Sequence, residues 1–270
     1  MTRARIAAAA ALCLAASAAL SAQTSPSPPK LGQQGKDVVW IPSPQPTVKK
    51  MLDLAGVTPQ DYVIDLGSGD GVTVIAAAQR GATALGVEFD RGLVELARRN
   101  AAAAGVNDRA TFVEGDFFKT DFSKATVLTL FVHVSINMKL RPILLGLKPG
   151  TRIVSNTYDM GDWTPDEVAK VTEPCTRFCT ALLWIVPAKV EGPWRIGQSE
   201  LVLEQQFQTL SGTWTSGGVT TPITGGRLRG DEVSFGVGAT AYTGRVSRGV
   251  MHGTTSGGQA AGWRATRPAK

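Results

Sequence analysis

The sequence predicts a doubly wound α/β domain with a mostly parallel sheet, followed by a small antiparallel β module. Three observations lead there. Short apolar runs alternate with helical periodicity from residue 46 to about 186; a strand, a glycine-rich turn and a helix stand together at 62–80; and from about residue 198 glycine and β-forming residues dominate.

The elements follow in order. "PTVKKMLDLAG" (46–56) reads as a short helix, with Pro46 near its first turn and Gly56 closing it. A strand at 62–66 precedes a helix at about 71–80, ended by Gly81. A strand at 83–87 leads into "RGLVELARRNAAAAG", where Leu93, Leu96, Ala97 and Ala101 share one helical face. Further strands are expected at 110–114 and 125–132, then a helix at about 136–147, a "KPG" turn and a strand at 151–157. A short helix near 165–171 and a strand at 181–186 complete the α/β rhythm. Beyond residue 198, short strands broken by Gly, Gly-Asp and Ser-Gly-Gly turns predict an antiparallel meander, with a core around Leu203, Phe207, Trp214, Phe235 and Trp263.

With 270 residues, 43% of them hydrophobic, the chain can bury a full core in one or two domains. The net charge of +6 is spread without a dense basic block or a basic–aromatic stripe, so composition does not point to nucleic acid. Residues 1–22 combine Arg3 and Arg5, an apolar run from Ile6 to Leu20, and Ser21-Ala22. That is the layout of a cleaved secretory signal and predicts a periplasmic or secreted protein, the rival being an uncleaved inner-membrane anchor. Cys13 follows Ala11-Leu12 rather than the small residue a lipid-anchor site needs, and no later stretch is apolar enough to span a membrane. Residues 23–37, Pro-, Ser- and Gln-rich, read as a flexible linker; 38–197 would be the α/β domain and 198–270 the β module. After signal removal only Cys175 and Cys179 remain, either as a small disulfide loop or as two thiols. The two histidines, His133 and His252, lie away from the cysteines, so no metal site is predicted.

The stretch "VIDLGSGDG" (63–71) is a strand running into a tight glycine turn. The dinucleotide fingerprint wants glycine where Val72 stands, and Asp65 is foreign to it, which argues against an NAD-dependent oxidoreductase. Helix-end N–H groups attract pyrophosphate, whereas the carboxylates of Asp65 and Asp70 repel it and attract a ligand carrying an ammonium and a sulfonium.

These residues resemble the class I S-adenosylmethionine-dependent methyltransferases, whose Rossmann-like fold matches the expected one. Asp65, Gly67, Gly69 and Gly71, with Ser68 and Asp70 between the glycines, match the first motif. Glu88 ends the second strand, where the resemblance implies a carboxylate accepting both ribose hydroxyls. Asp116 follows the third, where it would face the adenine amino group, with Phe117 against the adenine ring. Over about residues 38–190 the chain resembles one branch of the class. That branch includes protein-lysine methyltransferases acting on the c-type ring protein of ATP synthase, and uncharacterised bacterial relatives. The resemblance implies S-adenosyl-L-methionine as cofactor, lining by Pro42, Ser43 and Pro44, and an acceptor site beyond the fourth strand. His133, as base, and Asn137 are the catalytic candidates there, with Ser135, Asn156, Tyr158 and Asp159 as weaker ones. The Asn/Asp-Pro-Pro-aromatic signature of nucleic-acid N-methylases is absent. The expected acceptor is a protein side-chain amine or a small molecule. The competing reading is a non-catalytic envelope protein whose β module binds a glycan, lipid or protein. Export sits awkwardly with a cofactor made in the cytoplasm, and oligomeric state has no signature here.

Overall fold

The structure, a computed structural model, describes residues 29–36, 39–172, 174–257 and 260–268. The expected signal segment and its Cys13 lie outside the described residues, as do residues 23–28. Seven strands form one sheet: β1 (Tyr62–Leu66), β2 (Thr83–Glu88), β3 (Ala110–Glu114), β4 (Val127–Leu130), β5 (Arg152–Asn156), β6 (Glu167–Lys170) and β7 (Thr180–Ile185). Their order is β3-β2-β1-β4-β5-β7-β6. The first five run parallel, and β7 is antiparallel to both of its neighbours.

Helices α1 (Gln45–Leu54), α2 (Val72–Gln79), α3 (Arg91–Ala103) and α4 (Val134–Leu144) cover the two faces. On one, Met51, Val74 and Ala97 of α1–α3 pack with Val63, Val127 and Val154 of the strands. On the other, Ile136, Leu140 and Leu144 of α4 pack with Ile64, Leu128, Ile153 and the buried Trp163 and Trp184. Cover on both faces explains why β4 reads "VLTL" with every residue buried, rather than alternating. The chain winds outward from β1 through β3 and then returns to β4. The carboxyl ends of β1 and β4 therefore flank the switch point, where an open α/β sheet leaves a crevice.

Three expectations are corrected. The helix near 165–171 is instead the edge strand β6. Asp166 accepts a hydrogen bond from Ile185 N of β7 at 2.9 Å and pairs with Arg227 at 2.7 Å, so the segment is held extended beside β7. The fourth strand stops at Leu130, because His133 already serves as the N-cap of α4. Phe207 does not belong to the core of the β module. It sits in a turn at φ 54°, where its ring stacks on Trp163 of the α/β domain at 5.9 Å.

The β module closes into an eight-stranded antiparallel barrel: β8 (Gly192–Ile196), β9 (Ser199–Gln206), β10 (Thr209–Ser216), β11 (Val219–Arg229), β12 (Glu232–Val237), β13 (Thr240–Ser247), β14 (Val250–Ser256) and β15 (Gly262–Thr266). Closure comes where Thr266 of β15 meets Arg195 of β8. Gly217 and Gly218, at φ 54° and 79°, make the tight hairpin between β10 and β11 that side-chain-bearing residues adopt poorly. Alternation puts Leu201, Leu203, Phe235, Met251, Trp263 and Ala265 inside, with Trp214 partly buried against them.

Barrel and α/β domain are joined through the β9–β10 turn. Gln208, 3% exposed, accepts from Trp163 Nε1 at 2.9 Å and donates to Thr164 O at 2.8 Å. Arg229 pairs with Glu167, and Ala188 N donates to Gly230 O at 2.8 Å. No helix of the described residues is long and apolar enough to cross a membrane.

Candidate active site

The turn after β1 is shaped by three glycines at positive φ: Gly67 (81°), Gly69 (52°) and Gly71 (85°). The amides of Gly67 and Ser68 bond the carbonyl of Val87, which lays the turn across the end of β2. At Gly71 a side chain is barred twice over, since a Cβ there would lie 2.7 Å from the Phe112 ring as well as at a left-handed φ.

Asp65, Glu88 and Asp116, from three successive strand ends, line one cleft together with Gly67, Gly69 and Phe117. Its empty volume, solvent-open mouth included, is about 950 Å³. Asp65 is buried and accepts from Thr129 Oγ1 of β4 at 2.5 Å. Burial, reinforced by the neighbouring carboxylates of Glu88 and Asp70, pushes its pKa up to about 7 against the pull of the Thr129 hydrogen bond. Burial also raises Asp70, whose carboxylate accepts from Val72 N at the start of α2 at 3.4 Å.

Glu88 holds the turn from below. One carboxylate oxygen accepts from Gly69 N at 2.8 Å and the other from Asp90 N at 2.9 Å, each keeping a lone pair for a further donor. Asp116 caps the short 3₁₀ turn Phe117–Lys119 through Phe118 N, and its other oxygen pairs with Lys36 at 2.8 Å. The Lys36 ammonium holds the Asp116 carboxyl below the usual carboxylate range.

The roof is the segment that composition assigns to a linker and a proline-rich connection. Gly32 N and Trp40 N bond the carbonyls of Trp40 and Gln33, closing a small loop, and the Gln33 amide donates to Asp90 at 3.0 Å. Trp40 lies so close on Gly69 that a Cβ there would fall 2.6 Å from its Nε1. Pro42 and Ser43 line the cleft, whereas Pro44 is the N-cap of α1 and does not. Sequence reasoning misses Gln33, Lys36 and Trp40, because Gln, Gly and Pro there carry the signature of unstructured chain.

The acceptor candidates divide. His133 is exposed at the start of α4, where Nδ1 accepts from Ser135 N at 3.3 Å, and it does not line the cleft. Asn137 is fully buried and is not among the residues lining the cleft, its Nδ2 donating to the carbonyls of Tyr158 and Asp159 at 3.1 Å each. It positions the loop after β5 through those two bonds. Asn156 donates to Ser43 Oγ at 3.2 Å, tying the roof to β5. Tyr158 stands with Phe131, a cleft-lining residue at the end of β4, and with Phe178. Phe178 falls between two cysteines in no periodic pattern, and nothing in sequence marks it. Cys175 and Cys179 form a disulfide.

Three buried polar atoms, Ser68 Oγ, Trp40 Nε1 and Asn137 Oδ1, have no partner among the described residues. The first two belong to cleft-lining residues, beside carboxylates that favour positive charge and repel phosphate. The residues therefore fit a cationic adenosyl ligand.

Comparison with known proteins agrees. The family model for the ANTKMT methyltransferase domain matches residues 65–167. A protein-lysine N-methyltransferase of Saccharolobus islandicus (strain REY15A) is 42% identical over 139 residues, covering 50% of this chain and 86% of the relative. The adenine nucleotide translocase lysine N-methyltransferase of Mus musculus is 33% identical over 133 residues, 48% of this chain; the match spans only 55% of that relative's length. A crystal structure described as an RNA methyltransferase from Salinibacter ruber in complex with S-adenosyl-L-homocysteine superposes with a TM-score of 0.52. It is 45% identical, covering 56% of this chain and 96% of that one.

Proposed function

The chain belongs to the class I S-adenosylmethionine-dependent methyltransferases, and from that premise we propose that it methylates a side-chain amine of a protein, lysine being the foremost candidate. The observation that carries the reading is the convergence of Asp65, Glu88 and Asp116 on one cleft, in a chain 42% identical to a protein-lysine N-methyltransferase.

S-adenosylmethionine supplies a sulfonium-bound methyl group. The amine lone pair forms the new N–C bond as the C–S bond breaks, the electron pair stays on sulfur, and the extra proton on nitrogen passes to water. Such a displacement needs alignment more than acid catalysis. An ammonium must first lose a proton, and an apolar surround at Phe131 and Tyr158 favours that loss by disfavouring the charged form.

An RNA acceptor is the second reading, favoured by the 45% identity to the Salinibacter ruber protein; the lack of a dense basic block weighs against it. We also propose export through residues 1–22. The Cys175–Cys179 disulfide supports an oxidising destination. A mature amino terminus at Gln23 in an envelope fraction is the expected result, and an intact Met1 terminus in the cytoplasm would overturn it.

Incubating the protein with tritium-labelled cofactor and an envelope extract tests the acceptor. Label is expected in a protease-sensitive, nuclease-resistant fraction, and is lost in Asp65→Ala and Glu88→Ala. Nuclease-sensitive label would establish RNA instead. Calorimetry showing no heat for S-adenosylmethionine or S-adenosylhomocysteine with folded protein would refute the cofactor site altogether.

A further inference from the structure

We propose that Phe131, Tyr158 and Phe178 form an aromatic seat for the acceptor's cationic side chain, braced by the Cys175–Cys179 disulfide; the proposal rests on the amine reading above. The three rings come from separate segments: the end of β4, the loop after β5, and the disulfide loop before β7. Their centroids lie 6.0 Å (Phe131–Tyr158), 5.0 Å (Phe131–Phe178) and 6.4 Å (Tyr158–Phe178) apart. All three rings keep some exposure instead of entering either core cluster. Phe131 lines the cofactor cleft, which sets the group at that cleft's edge.

The backbone is bent to place them. Thr157, just before Tyr158, has φ 66°, and Phe178 has φ 57°, both in the left-handed region that side-chain-bearing residues avoid. Such outliers persist only where the surroundings over-determine them, and they gather at ligand-binding places. The surroundings here are specific. Thr47 of α1 donates to Phe178 O at 2.9 Å, and the disulfide closes the loop on either side of that ring. Thr157 N donates to Thr180 O at 2.7 Å, and Asn137 and Ser155 both bond the carbonyl of Tyr158.

Chemistry selects a cation. The Arg177 guanidinium already lies over the Phe178 ring, 5.2 Å from its centroid, so this surface takes positive charge within the chain itself. Aromatic faces also suit the reaction. A carboxylate would hold an amine in its charged, unreactive form, whereas a ring attracts the ammonium more weakly and lets the proton go. The rings touch one another, so the cation lies against the group and not between its members.

The test uses the full chain saturated with S-adenosylhomocysteine and two short peptides, one carrying Nε-trimethyllysine and the other its neutral tert-butyl isostere. Calorimetry is expected to show the charged peptide binding about 5- to 10-fold tighter. Phe178→Leu and Tyr158→Leu should bring the two peptides within about 2-fold while leaving S-adenosylhomocysteine affinity unchanged, and Cys175→Ser/Cys179→Ser should weaken the preference several-fold. Equal binding of both peptides would overturn the proposal. So would a charge preference that survives both leucine variants, or tighter ring-dependent binding of uridine monophosphate, which would make the group a base platform. A ring-dependent charge preference in a protein that labels no protein amine supports the seat and retires the acceptor reading alone.

Discussion

The hydroxyl of Thr129 on β4 donates to the carboxylate of Asp65 on the adjacent β1, where both side chains are buried. That single donor does not offset the cost of charge there, and the carboxyl stands at about 7 instead of the ordinary 3.8.

Ligand-free stability should therefore fall as pH rises. Between about 4 and 7 the folded protein keeps a proton on Asp65 that the unfolded chain has released, so ionisation works against the fold across that window. The contribution amounts to ~4 kcal/mol. Asp53, Asp61 and Asp116 are shifted downward and act in the opposite sense at lower pH. The comparison to make is thus wild type against Asp65→Asn by denaturant titration at pH 4.5 and 7.5, where the gap should shift in favour of the variant at the higher pH.

A cationic ligand reverses the preference at the same carboxyl. S-adenosylmethionine affinity should rise with pH through about 7 and level off above it, with a proton released on binding below that point. Calorimetry in two buffers of different ionisation enthalpy reads the proton directly. In Asp65→Asn the binding is weaker and the pH slope shrinks, burial-raised Asp70 keeping a remainder; an unchanged slope would remove Asp65 from the linkage.

Lys36 competes for the oxygen of Asp116 that the adenine amino group would use. The pair is partly exposed and so worth ~1 kcal/mol or less. Lys36→Met should raise S-adenosylhomocysteine affinity about 2- to 5-fold and reduce its dependence on salt. Weaker binding in that variant would instead make Lys36 part of the ligand's own cradle.

The barrel and the α/β domain should unfold as one unit. Gln208→Ala leaves the buried N–H of Trp163 without an acceptor, at a cost of about 1–3 kcal/mol. Wild type should give coincident transitions by fluorescence and far-UV circular dichroism. Two separated transitions in wild type would mean the barrel is an independent lodger.

Much of this was legible in sequence because local pattern and tertiary context agreed. Strands buried on both faces appear as apolar runs, and Gly67, Gly69 and Gly71 stand where the backbone requires them. Legibility ended where distant partners decide the outcome. The segment around Asp166 looks helical until Ile185 and Arg227 are beside it. Closure of the barrel rests on Thr266 finding Arg195, 71 positions away along the chain. Lys36 and Trp40 acquire meaning only once they fold over Asp116 and Gly69.

Glu88 serves two masters at once: the shape of the loop and the grip on ligand. Because its two oxygens each take a main-chain N–H, from Gly69 and Asp90, an amide at this position would turn one acceptor into a donor facing another donor. The neutral isostere is thus no mild change. Drift at position 88 would disfigure the turn before any adenosyl group arrived, so a protein that had abandoned methylation but kept this architecture would still have reason to retain the acid.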